Sequence, residues 1–296
     1  MTAAFSNDVF MVGKARITRL AETEMQVPAS ALFKGHWPPQ VPLEPVVGLS
    51  VEGDNTIVTL SVQSWLIQTP TDTVILDTGI GNDKSRPGND AMDGLDTPYL
   101  DRLSAAGVAP EDVDHVLITH VHPDHIGWNT RLVEGQWQPS FPNARYHFSR
   151  QGYEAWCADA GRAQMVADSL QPVVDHDQAS LYDSSTRFEP IAGFEVVPTP
   201  GHSPDHCSVL VESDGERALF SGDLMHHHIQ VAHPEWNSMF CADLQQAEAA
   251  RRWALAFAAE QALLWFSAHF AGSRVGRVHR DEGGFHWEFV EPRLDA

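Results

Sequence analysis

Short runs of apolar and β-branched residues, separated by turn residues, recur along the chain. Residues 56–69, TIVTLSVQSWLIQT, predict a long strand, and 73–76 predict a second one after the turn Pro70-Thr71-Asp72. Val116, Leu117 and Ile118 form an apolar run that predicts a buried strand over 113–119. Further strands are expected over 9–20, 144–148, 194–197, 207–211, 217–220 and 263–266, with a hairpin over 276–289 turning at Gly283-Gly284. Helices are expected over 98–106, 151–157, 163–170 and 243–260, with Ser149 and Asp243 as N-caps. This alternation indicates an α/β layered fold. Residues 29–45 carry Pro38, Pro39, Pro42 and Pro45 and predict an irregular arm. Such an arm packs on the surface, over a site, or against a second copy of the chain in a homodimer. The chain is expected to be one domain over 1–296, with 1–57 forming an N-terminal strand plus this Pro-rich arm.

The chemistry begins where the central strand ends. The chain there reads His120-x-His122-x-Asp124-His125, four metal-capable side chains within six residues. In an extended segment alternate side chains share one side, so His120 and His122 approach one cation. Asp124 and His125, beyond the bend at Pro123, face a neighbouring point. Imidazole and carboxylate suit two divalent ions, with Zn²⁺ the default and Mn²⁺, Co²⁺ or Fe also compatible.

The stretch THVHPDHIGWN resembles the T-H-x-H-x-D-H-x-G signature of the metallo-β-lactamase-fold hydrolases, nearest to their lactonase and methyl-parathion-hydrolase-like group. The resemblance implies a four-layered αβ/βα sandwich in which two similar halves pack face to face. Residues 198–206, PTPGHSPDH, are similar to that family's T-P-G-H-T-P-G-H, which implies His202 as a third ligand and His206 as a supporting residue. Asp205 stands where the family usually has glycine. Residues 219–223, LFSGD, resemble the family strand whose final aspartate bridges two metals, and Ser267-Ala268-His269 matches the last ligand. The implied set is His120, His122 and His202 on one ion, Asp124, His125 and His269 on the other, and Asp223 between them. Asp77, in the family's D-T-G, is implied to hold backbone near the metal loop, with a simple turn aspartate as the alternative. His226 fits the pattern G-D-x-x-H and reads as a substrate-pocket residue that donates to the oxyanion or leaving group, or else as a structural histidine. His227 and His228 are taken as structural.

The resemblance implies a hydroxide, held between two divalent ions, attacking a carbonyl or phosphoryl ester, with Asp124 orienting it and carrying its proton. Lactones, aryl esters and organophosphate triesters are the expected small-molecule substrates. Trp37, Trp65, Trp128 and Trp236 are candidate walls of an apolar pocket. The alternatives are a glyoxalase II-like thioesterase and an iron-dependent oxidoreductase on the same fold. A binding protein with a degenerate site fits poorly with a complete ligand set.

Composition narrows the partners. A net charge of −21 with only Lys14, Lys34 and Lys84 as lysines disfavours nucleic acid and anionic membranes. Cys157, Cys207 and Cys241 share no paired spacing and read as reduced thiols. With no apolar span or leader pattern, a cytoplasmic location is expected. No G-x-S-x-G elbow or Walker motif is present, so a covalent serine route and a P-loop are not indicated.

Overall fold

The computed structural model describes residues 8–37, 46–272 and 274–293. The prolines of the expected arm, Pro38, Pro39, Pro42 and Pro45, lie outside the described residues. The strands in chain order are β1 (Val9–Val12), β2 (Ala15–Pro28), β3 (Leu49–Glu52), β4 (Asn55–Gln68), β5 (Thr73–Leu76), β6 (His115–Leu117), β7 (Thr130–Val133), β8 (Gln136–Pro139), β9 (Arg145–Ser149) and β10 (Ala179–Tyr182). They continue with β11 (Phe188–Ile191), β12 (Phe194–Pro198), β13 (Cys207–Ser213), β14 (Glu216–Phe220), β15 (Leu264–Phe266), β16 (Val275–Asp281) and β17 (Gly284–Phe289). The first sheet runs β1-β2-β4-β5-β6-β9-β10, with β3 also paired to β4, and the second runs β11 through β17 in sequence order. β7 and β8 form a separate hairpin.

The layering follows from strict alternation along these strands, because successive side chains point to opposite faces. Trp65, Ile67, Val74 and Leu76 of the first sheet meet Val209, Val211, Ala218 and Phe220 of the second in one buried cluster between the sheets. Their neighbours Leu66 and Ile75 point the other way, into a cluster with Tyr99, Leu103, Trp156 and Val173. Those last four come from the helices Tyr99–Ala105, Arg150–Ala158 and Gln171–Asp175. Leu210 and Leu219 likewise turn outward, onto Ala254, Leu255 and Ala258 of the helix Leu244–Glu260. Helices thus cover the outer face of each sheet, giving the αβ/βα sandwich of the metallo-β-lactamase fold.

The helix caps act as expected. The Ser149 hydroxyl accepts the Gly152 N–H, and Asp243 accepts from Gln245 and Gln246. Strands β3, β7, β8, β10 and β11 add to those expected, and two segments near the N-terminus differ from expectation. The strand expected over 9–20 is a hairpin, and its second arm runs on to Pro28. Residues Ala29–Leu32, expected to be irregular, form one helical turn. Among the described residues no helix is long and apolar enough to cross a membrane.

An aromatic group closes the seam between the sheets. Phe220 stacks on Phe266 with ring centroids 4.5 Å apart, and Trp65 meets Phe266 edge-on at 5.0 Å. Both phenylalanines end strands, and each is followed within three residues by a site side chain, Asp223 or His269.

Candidate metal centre

Four chain segments leave strand ends at the same rim of the seam: three follow β6, β14 and β15 in turn, and the fourth, which carries His202, follows β12. After β6 the backbone does not stay extended as expected. It turns at once, with the His122 N–H donating to the His120 carbonyl, and the two rings lie 4.5 Å apart. A turn brings the histidines together more tightly than alternation along a strand would. Asp77 holds this turn from outside. Its Oδ1 accepts the Thr119 N–H (2.8 Å), and its Oδ2 accepts the Thr119 hydroxyl (2.9 Å) and the His125 Nδ1–H (2.9 Å). The backbone-holding part expected of Asp77 is therefore present.

Gly222 admits the approach of the second segment. Its φ is +51°, and a Cβ there would stand 2.7 Å from His206 Nε2. His206 accepts the Asp223 N–H at Nε2 (2.9 Å) and faces the Thr199 carbonyl through Nδ1 (2.9 Å), so it fixes the backbone of the central aspartate. The third segment is pinned by His269 Nδ1–H donating to the Ser61 carbonyl (2.8 Å). Holding one ring nitrogen this way aims the other, Nε2, into the site.

The seven residues of the implied ligand set converge. Ligand atoms of His120, His122, His202 and Asp223 lie within 4.8 Å of one another, as do those of Asp124, His125 and His269. Asp223 stands between the two groups. Its Oδ2 lies 3.2 Å from His202 Nε2 and 3.8 Å from His120 Nε2, while its Oδ1 lies 3.1 Å from His125 Nε2 and 3.0 Å from His269 Nε2. His226 Nε2 is 3.5 Å from Asp223 Oδ2, and the His226 ring stacks on His269 at 5.3 Å. Asp223, His226 and His269 form a further group of the same kind.

Electrostatics make the cluster incomplete as a protein-only assembly. His120 Nε2, His125 Nε2, His226 Nε2 and Asp223 Oδ1 are buried without a hydrogen-bond partner. Such groups are costly to leave unpaired, and all four belong to the clustered groups of metal-capable side chains, as donor atoms around cations do. Burial, then neighbouring imidazoles, hold His120 well below the usual histidine range. Burial likewise lowers His202 and His122. Burial opposes charge on His125 too, but Asp223, Asp77 and Asp124 outweigh it and raise His125. Burial also works against an ionised Asp223, yet His269, His125 and His202 hold its carboxyl well below the usual range.

Above the cluster lies a cavity of about 310 Å³ whose walls include Met25, Leu60, Asp124, His226 and Phe240. None of the tryptophans expected to line a pocket borders it. Trp128 stacks on Tyr99 at 5.0 Å and donates to Glu22, and Trp65 belongs to the seam. Trp37 and Trp236 pack on Phe33. Each is taken up by packing partners that sequence spacing does not display.

The metallo-beta-lactamase superfamily model matches residues 57–269. The chain belongs to this superfamily. Over 170 residues it is 26% identical to an N-acyl homoserine lactonase of Bacillus cereus, covering 53% of this chain and 61% of that protein. Over 129 residues it is 30% identical to an atrochrysone carboxyl ACP thioesterase of Passalora fulva, covering 43% of this chain and 30% of that one. The match thus spans less than two thirds of either relative. Among solved structures, hydrolase AbOPH of the beta lactamase superfamily aligns with a TM-score of 0.78 at 22% identity, over 99% of this chain and 100% of that one. AidC, a dizinc quorum-quenching lactonase, aligns with a TM-score of 0.73 at 21% identity, over 97% and 99%. These likenesses show the shared superfamily fold.

Two supporting residues were not legible beforehand. Glu22 sits at the register shift between Ala21 and Thr23 in β2, a bulge that turns its side chain inward. There its carboxylate accepts the Ile80 and Gly81 N–H groups and Trp128 Nε1–H (2.6, 2.9 and 2.7 Å). Burial pushes its pKa up to about 7. The other is Asp205, whose Oδ2 accepts the Val121 N–H (3.0 Å), between His120 and His122. Its departure from the family glycine was the available signal.

Proposed function

We propose that this superfamily member is a binuclear metal-dependent hydrolase of lactones or aryl esters. The observation that carries the reading is the placement of Asp223, one buried carboxylate whose two oxygens each face a different histidine group. His120, His122 and His202 would hold one divalent ion, Asp124, His125 and His269 the other, and Asp223 both, with zinc the metal best matched to this nitrogen-rich set. When bound, such ions lower the pKa of water and polarise a carbonyl or phosphoryl oxygen.

The chain's own residues supply the rest. Asp124 borders the cavity, with Oδ2 3.6 Å from His269 Nε2 and 3.8 Å from His125 Nε2. It orients the attacking water and accepts its proton. Burial lowers His226 and keeps it neutral at pH 7, and its Nε2–H donates to the leaving oxygen. Met25, Leu60 and Phe240 give the cavity an apolar wall that excludes bulk water from the ester. The acyl C–O bond breaks, water adds hydroxyl to the acyl carbon and hydrogen to the leaving oxygen, and the new carboxylic acid releases one proton.

A pH-indicator assay on metal-replete protein, beside Asp223→Ala, tests this. The panel holds γ- and δ-lactones, aryl esters, a phosphate triester and a thioester. Turnover of lactones or aryl esters, lost at least about 100-fold in Asp223→Ala together with one equivalent of metal, is expected. A variant that keeps two tightly bound metals and full rates would sink the reading. The thioesterase among the relatives favours the thioester as second substrate class, and dominant thioester turnover would select it.

A further inference from the structure

A second chamber of about 290 Å³ adjoins the cavity over the histidine cluster. The two share His122, His202, Phe240 and Arg162 in their walls. Val121, Ala155 and Trp156 give the second chamber an apolar side. Arg162 is the one arginine or lysine among the described residues lining either space.

The other polar side chains of the second chamber are committed elsewhere. The Gln151 amide oxygen accepts from the Ser184 N–H and hydroxyl, and its nitrogen donates to Asp183. Asp205 accepts from Val121 and from the Ser203 hydroxyl. The Arg162 guanidinium differs. It lies 4.9 Å from the Trp156 ring centre and 3.8 Å from Asp159 Oδ2 across a half-exposed gap. A pair that long and exposed contributes little. Among the described residues the guanidinium makes no hydrogen bond, so its planar fork of donors remains available. Stacking on an aromatic ring orders such a fork without using its N–H groups.

We propose that Arg162 selects substrates carrying a carboxylate on the non-reacting arm. The ester lies over the histidine cluster, the carboxylate pairs with Arg162 at the junction, and the apolar remainder follows Val121 and Trp156 into the second chamber. A cation at this junction also offsets the −21 charge that would otherwise repel an anionic substrate. The inference rests on the hydrolase reading for the chemistry but not for the binding.

Two 4-nitrophenyl esters of equal chain length separate the cases, the monoester of adipic acid and the neutral hexanoate, assayed with wild type, Arg162→Ala and Arg162→Lys. Arg162→Ala is expected to lower kcat/KM for the anionic ester about 10- to 100-fold, chiefly through KM. The hexanoate should change less than about threefold, and Arg162→Lys should recover part of the loss. Equal losses on both esters, or no anionic preference in wild type, would overturn the proposal and leave the hydrolase reading standing. Equilibrium dialysis of the two matching 4-nitroanilides, which resist hydrolysis, supplies a readout without turnover. If neither ester is cleaved but the anionic anilide binds wild type at least tenfold tighter than Arg162→Ala, the proposal stands and the hydrolase reading fails. A carboxylate held by cations alone would bind Arg162→Ala as tightly as wild type and would also overturn it.

Discussion

Replacing Asp205 by alanine should weaken metal binding more than it weakens the fold. Asp205 is 4% exposed, and its Oδ2 is the acceptor for the Val121 N–H at 3.0 Å. Val121 separates His120 from His122, so this one bond fixes the backbone between two side chains of the first histidine group. The same oxygen lies so close to Gly152 of the helix Arg150–Ala158 that a Cβ there would stand 2.1 Å from it. Alanine removes the acceptor and leaves the Val121 N–H buried and unpaired. A hydrogen bond to a charged group contributes roughly 1.5–3 kcal/mol. If about 2 kcal/mol of that is expressed in the ordering of His120 and His122, the dissociation constant of the first metal rises roughly 30-fold. Asparagine keeps an oxygen for Val121 and should lose no more than about tenfold. Chelator competition reads the affinity, and urea unfolding of the metal-free protein reads the fold. Alanine and wild-type proteins with equal metal affinity, or a variant whose entire loss appears in metal-free unfolding, would refute the reasoning.

The other predictions concern groups beneath the site. Glu22→Gln keeps one acceptor oxygen but turns an NH₂ group toward the donors of Ile80, Gly81 or Trp128. It should destabilise the protein by about 1–3 kcal/mol, and a melting temperature equal to wild type would refute that. Lys84 is fully buried, donates to the Thr130 hydroxyl and Asp168 carbonyl (both 2.6 Å), and is lowered to about 7, first by burial. The unfolded chain holds this proton up to its ordinary value near 10.5, so between about pH 7 and 10.5 the unfolded state binds more protons and stability rises with pH. The rise approaches about 1.4 kcal/mol per pH unit at most. Wild-type minus Lys84→Met unfolding energies between pH 7 and 9 should show it, and a flat difference would disprove it.

How much was legible follows from which interactions are local. The strand over 73–76 was read to the residue, because its alternation and the turn before it are contained in a few positions. His120, His122, Asp124 and His125 stand out by spacing, and His202, Asp223 and His269 by resemblance of the turns that carry them. Their meeting at one point is a product of two sheets packing, which no local window contains. The inward aim of Glu22 depends on a bulge set by pairing with β4, and its N–H partners lie more than 50 positions away. Arg162 carries no signal in the sequence, because its place between two chambers is created by the helix Arg150–Ala158 and by the segment after β12. The tryptophans misled for the same reason. Trp65 has the composition of a pocket wall but the register of a seam residue, pairing with Leu76 in β5.

The two-sheet origin of the centre has an engineering consequence. His120, His122, Asp124 and His125 come from the first half of the chain, and His202, Asp223 and His269 from the second, with the five residues between β10 and β11 joining the halves. Each of the two histidine groups draws on both halves. A cation held there would act as a staple across the seam, and the two pieces of a chain opened at residues 183–187 are expected to co-elute with metal and to separate with chelator.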